Sequence, residues 1–300
     1  MRRRLLAAAC TAAAAVLVAV GAAGGSTHPA NVQWEELLPA LPSSNEVQPH
    51  SVPGCRRASV RCVDTEIRRM KRLQRAWGCD HRAVFATTYL TLTRQLREEL
   101  RGEFRRRLID TRYLYVEDVL FANVYFDWIR LSRRAEVPEA WRIAFETARS
   151  GEVTGGQDML LGINAHVQND MPFVLAALGQ RTRSGASRKP DHDLVNEVLD
   201  HAYQRVVDAV ADRYDPTVRT TNASESPADD AGGLEVVKEW REAVWRNAER
   251  LLAARSDEER RQVAEQIEAN AGEWARGMAS FQVPGSRERR DAYCRERLGR

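Results

Sequence analysis

The sequence predicts an all-α fold: a single multi-helix bundle with a Pro-kinked central helix and an irregular N-terminal arm. Two observations predict the class. From Val63 onward apolar residues recur at the three- and four-residue spacing of an amphipathic helix, and runs of alternating β-branched residues are absent. A third observation predicts the kink. Pro172 falls inside the most apolar of these segments, and proline removes a backbone donor and clashes one turn back. No internal repeat is visible. The expected organisation is a signal peptide or N-terminal anchor over 1–25, an irregular Pro/Ser-rich arm over 26–60 and a helical domain over 61–300.

The N-terminal segment has the layout of a targeting signal. Arg2, Arg3 and Arg4 precede an uncharged run from Leu5 to Ala23, and small residues at Gly21 to Ser26 offer a cleavage site. The run is dominated by alanine, which inserts poorly into a bilayer, so cleavage is favoured over anchoring. In the arm, Trp34 to Pro39 reads as a short docking turn.

The helices follow in order. Asp64 is the expected N-cap of the first, which carries Ile67, Met70 and Leu73 and stops at Gly78. The second starts at Asp80 and carries Val84, Phe85, Tyr89, Leu92 and Leu96. The third spans about Tyr113 to Arg134, with Leu114, Asp118, Phe121, Tyr125 and Trp128 on one face. Pro138 suits the first turn of the fourth, where Trp141 and Phe145 point inward. The central helix runs from Gly156 to Leu178. A loop from Arg181 to Lys189 leads to a helix opened by Pro190-Asp191-His192, with Asp191 a good N-cap. Tyr214 to Ala231 reads as a polar loop, and Leu234–Ala254 and Asp257–Phe281 as the last two helices.

Charge and cysteines narrow the function. The chain of 300 residues carries a net charge of only +3, and its arginines alternate with glutamates as on solvated helix faces. That pattern excludes a nucleic-acid footprint and leaves a small-molecule or lipid-like ligand as the expected partner. Contact with a membrane is expected only through an uncleaved N-terminal segment. Beyond Cys10 in the apolar run, Cys55, Cys62, Cys79 and Cys294 form an even set suited to an oxidising compartment, secreted or in the cell envelope. Of the three possible pairings, a short Cys55–Cys62 loop with a long Cys79–Cys294 staple is expected.

The chemistry centres on Leu160 to Pro172. His166 and Asp170 lie four residues apart on a stripe with Met159, Ile163 and Val174, so two ionisable groups face the core. His81 and His192 occupy similar stripes. One histidine from each of three helices, plus Asp170, would make a Zn or Fe ligand set between bundle helices, able to turn a bound water into a nucleophile. Asp118 would serve as ligand or general base and Asn164 would orient substrate. The alternative is a buried structural network in which His166 and Asp170 satisfy each other. No nucleophile elbow, phosphate-cradling loop or dinucleotide fingerprint occurs.

Several segments carry a family resemblance: Cys79-Asp80-His81-Arg82-Ala83-Val84-Phe85-Ala86, Glu117-Asp118, Pro138-Glu139-Ala140-Trp141, Leu161-Gly162-Ile163-Asn164-Ala165-His166 with Asp170 and Pro172, Arg188-Lys189-Pro190-Asp191-His192 with Asn196, and Trp240-Arg241-Glu242. Together they resemble the family catalogued as domain of unknown function 5995, from about Trp34 to Cys294. The resemblance implies a helical exported protein of high-GC bacteria and adds no reaction. A looser likeness joins His166 and Asp170 to the H-x-x-x-D pair of helical zinc-dependent phospholipases C. Here Pro172 comes too early and no second histidine follows in the helix. Two functions follow: a metal-dependent hydrolase with an inter-helix site, or a non-catalytic binding protein. An open cleft with unpaired imidazole nitrogens argues for the enzyme, and a dry interior around His166 with every polar atom satisfied by protein for the binding protein.

Overall fold

The computed structural model describes Leu38 and residues 52–133, 137–221 and 227–299. The expected signal segment, most of the arm and the turn at Trp34 lie outside the described residues. Among the described residues the fold is helical without strands, and a lone antiparallel bridge from Arg181 to Ser187 closes the loop before Lys189.

Helix α1 (Val60–Trp77) begins after Ser59, whose backbone is extended, and ends at Gly78, whose N–H returns to the Gln74 carbonyl with φ 57°. Gly78 is the stop the sequence predicts. Asp64 is not the cap. It lies inside the first turns and pairs with Arg97 of α2 (Ala83–Glu99). A single turn, α3 (Phe104–Arg107), precedes α4 (Thr111–Leu131), which Asp110 caps by accepting from the Tyr113 N–H at 3.1 Å. Helix α5 (Glu139–Ser150) starts after Pro138, and a Thr154–Gln157 capping box starts α6 (Gly155–Asn164).

The central segment is not one continuous α-helix. α6 passes into a π turn, Ala165–Asp170, and then into α7 (Met171–Leu178). The Met171 N–H bonds to the His166 carbonyl five residues back. Pro172 has no N–H to return to the carbonyl one α-turn earlier, so a widened turn is accommodated where the ladder is already broken. This rod packs against α2, α4, α5, α10 (Pro227–Ala253) and α11 (Asp257–Ala279).

Helix α8 (Lys189–Ala211) carries proline in its first turn, as expected, but Asp191 lies inside that turn and is not its cap. Its carboxylate accepts from the Ile109 and Asp110 N–H groups, both at 2.7 Å, just ahead of α4. The polar stretch after Tyr214 contains a short helix, α9 (Thr217–Thr221). The sequence reading missed the final helix, α12 (Ser286–Leu298). Only Ser286, Arg290 and Cys294 of α12 are buried, so its apolar stripe is too thin to register as a period. Polar contacts dock it instead. Arg290 donates to the Val153 carbonyl at 2.6 Å and to the Asp158 carboxylate at 2.7 Å.

Both expected disulfides are present. Cys55–Cys62 closes a loop at the start of α1, and Cys79–Cys294 spans 215 residues to fasten α12 beside the α1–α2 turn. No described helix is long and apolar enough to cross a membrane.

Candidate functional site

A cavity of about 210 Å³ lies between α2, α4, the π-turn rod, α8 and α10. Its wall is aliphatic on most sides: Leu92 and Leu96 from α2, Ile163 from α6, Val195 and Val206 from α8, and Val237 from α10. Tyr89, Glu117, Asp118, His166 and Arg241 are among its lining residues. Few polar groups in an apolar pocket are the usual makeup of a small-molecule site.

His166 stands on the π turn and is almost fully buried. Its Nδ1 lies 2.8 Å from the Asp170 carboxylate. That carboxylate also accepts from the Trp128 indole at 3.0 Å, the Trp141 indole at 3.0 Å and the Asn169 amide at 2.8 Å. With three other donors on its oxygens, Asp170 is an acceptor for the Nδ1 proton, which leaves the lone pair on Nε2. Burial pushes the imidazole pKa down against the pull of Asp170, so the ring is held neutral. Burial pushes Asp170 up, while His166, Asn169 and Trp141 hold it down. Phe121 stacks on the imidazole at 3.5 Å between ring centres, and Tyr89 meets it edge-on at 4.8 Å. Nε2 is buried without a partner.

The acids behave differently from Asp170. Asp118 Oδ2 is buried without a partner, and burial, reinforced by Glu66 and Glu117, raises its pKa well above the carboxylate range. Glu117 is pushed up to about 7 by burial, with Arg241 opposing. Arg241 is itself lowered to about 10 by burial. The Arg241 guanidinium is committed to Asn196 Oδ1 at 2.8 Å and to the His192 carbonyl. The Tyr89 hydroxyl is also buried and unpartnered, and burial raises its pKa well above normal.

Of the residues expected from sequence, His166 and Asp170 meet, and Asp118 joins them on the cavity side. The other expected ligands lie elsewhere. His81 bonds through Nε2 to Asp291 at 2.9 Å in a separate polar pocket with Arg149 and Arg287. His192 bonds through Nε2 to the Arg241 carbonyl at 3.0 Å. Asn164 bridges to α11, donating to the Ala271 carbonyl at 2.8 Å and accepting from Gln168. Among the described residues no three His, Cys, Asp or Glu side chains are grouped to hold a metal ion. The four-ligand set is therefore not assembled, because each ring has a separate partner at a different helix junction.

Sequence reasoning missed Tyr89, Glu117 and Arg241 as site residues, and missed the π turn. Tyr89 reads as core, and only its unbonded hydroxyl distinguishes it. The signal for Glu117 was present: two adjacent acids inside the apolar run of α4. Gly162 also matters, since a Cβ there would stand 2.3 Å from the Phe85 ring. Phe85 lies against His166, Tyr125 and Trp141, so the glycine lets α6 and α2 close behind the imidazole.

Fold and site together define a disulfide-stapled, all-α domain that keeps acid and base groups in an apolar cavity. The sequence profile described as "Family of unknown function (DUF5995)" matches residues 63–281, and the chain belongs to that family. Comparison with curated proteins and with solved structures found no match. The matched region holds every polar residue of the cavity and leaves α12 outside.

Proposed function

We propose that this is an exported protein that takes a compact, mainly apolar molecule bearing one polar group into the cavity. One observation carries the reading: His166, a residue lining a mainly apolar cavity, holds a buried Nε2 without a partner. An unsatisfied buried polar atom costs about 1–3 kcal/mol, which a ligand donor would recover. The aliphatic wall would supply the affinity, at about 25 cal/mol per Å² of apolar surface removed from water. Export is supported by the positive, then uncharged N-terminal segment and by the two disulfides.

The test uses 2-naphthol, a flat apolar ring system with one hydroxyl, beside naphthalene. Calorimetry of the purified protein should show naphthol binding about tenfold tighter, the value of one hydrogen bond. His166→Phe should erase the preference. Equal binding of both compounds to the wild type, or binding of neither, overturns the reading.

A further inference from the structure

We infer that Tyr89, Asp118 and His166 form a proton-transfer site for an unsaturated carbonyl compound, in which two hydroxyl donors hold the carbonyl oxygen while the imidazole moves a proton from the α to the γ carbon. The inference rests on the cavity being a ligand site, as proposed above, and names the substrate class and the chemistry.

The three groups share a condition that is rare in a folded core. Each is more than nine-tenths buried, each lines the same cavity, and each holds a polar atom with no partner: Tyr89 Oη, Asp118 Oδ2 and His166 Nε2. Their roles differ. The Nδ1–H of His166 belongs to Asp170, so Nε2 offers a lone pair. Tyr89 offers an O–H. Asp118 sits in an apolar wall with Glu66 and Glu117 as neighbouring acids, and burial together with those like charges keeps it in the acid form, a second O–H donor. One acceptor beside two donors matches a carbonyl group, whose oxygen has two lone pairs and whose neighbouring carbon carries an acidic hydrogen.

Other chemistries fit less well. Acyl transfer needs a nucleophile, and the hydroxyls of Thr88 and Thr93 in this wall are bonded to the Val84 and Tyr89 carbonyls. An anionic substrate needs an available cation, and the Arg241 guanidinium is taken by Asn196 and by the His192 carbonyl. Proton transfer alone needs only the three groups present.

The step balances without a co-reactant. Nε2 takes the proton as the C–H bond α to the carbonyl breaks. The electron pair moves onto the carbonyl oxygen, where Tyr89 and Asp118 donate hydrogen bonds to the enolate. The imidazolium so formed is paired with Asp170, which the Trp128 and Trp141 indoles fix in place. Nε2 then returns the proton to the γ carbon of an unsaturated ketone. The double bond shifts into conjugation and the protein is regenerated.

The experiment uses the full chain with 3-cyclohexen-1-one. The conjugated enone is followed by absorbance, and deuterium uptake in D₂O by proton NMR. The wild type should accelerate both. His166→Gln should lower the rate by at least a hundredfold. Tyr89→Phe and Asp118→Leu, which each remove a donor, should each lower it about a hundredfold, with unfolding midpoints checked to confirm folding. 2-Naphthol should compete for the cavity. A wild type that binds 2-naphthol but neither isomerises nor exchanges the ketone refutes this inference and leaves the binding reading intact. A protein that binds neither compound removes both. Activity that survives Tyr89→Phe and Asp118→Leu unchanged refutes the assignment of the oxygen-holding pair.

Discussion

Glu117 links the site to the stability of the whole fold. Its carboxyl has an ordinary value of 4.5 and is pushed up to about 7 in the folded protein, chiefly by burial, with Arg241 opposing. Below pH 4.5 both folded and unfolded chains hold the proton, so Glu117 adds no pH dependence. Between 4.5 and 7 the unfolded chain ionises while the folded one stays neutral. Stability must then fall as pH rises, by about 1.4 kcal/mol per pH unit. Across the window the loss sums to about 3 kcal/mol, and above pH 7 it levels off. Glu117→Gln keeps the shape and removes the titration. Urea unfolding of both proteins at intervals from pH 4.5 to 8.5 isolates the effect, because Asp158, also raised to about 7, titrates in both and cancels in the difference. The variant should match the wild type near pH 4.5 and exceed it by about 3 kcal/mol at pH 8. Parallel pH profiles would show that Glu117 is ionised and solvated in the native state, and the picture of a dry acidic wall would be wrong.

Two further outcomes follow from the supports of the site. Asp170→Asn replaces an acceptor serving four donors with an amide that must turn its NH₂ toward at least one of them; urea unfolding should register a loss of about 3–5 kcal/mol, and a loss below about 1 would mean the indoles find other partners. Replacing Cys79 and Cys294 by alanine should cost about 5 kcal/mol, against about 2 for Cys55 and Cys62, because loop entropy scales with closed lengths of 215 and 7 residues. Equal losses in chemical denaturation would locate the stabilisation in native contacts rather than in the unfolded chain.

The sequence carried the helices well where burial is apolar. The stripes of α1, α2 and α4 and the stop at Gly78 stand where periodicity puts them. It failed where docking is polar. α12 is held by Arg290, Ser286 and a disulfide, none of which produces a hydrophobic period. In the site, the i, i+4 relation of His166 and Asp170 was legible because it is local. The separation of His81 and His192 from them was not, since similar stripes on different helices say nothing about which ends of those helices meet. Tyr89 and Arg241 were missed for a related reason. A tyrosine on a core stripe looks the same whether its hydroxyl is bonded or bare, and an arginine after Trp240 looks like surface until α8 is packed over it.

The long staple also sets an order of events in biosynthesis. Its two cysteines leave the ribosome 215 residues apart, an interval of roughly ten to forty seconds at ordinary elongation rates. Cys55 finds Cys62 within a short loop, while Cys79 has no partner of its own until residue 294 has been made. The oxidant that closes Cys79–Cys294 therefore acts on a chain that already contains every helix lining the cavity, and the bond ties that finished set together.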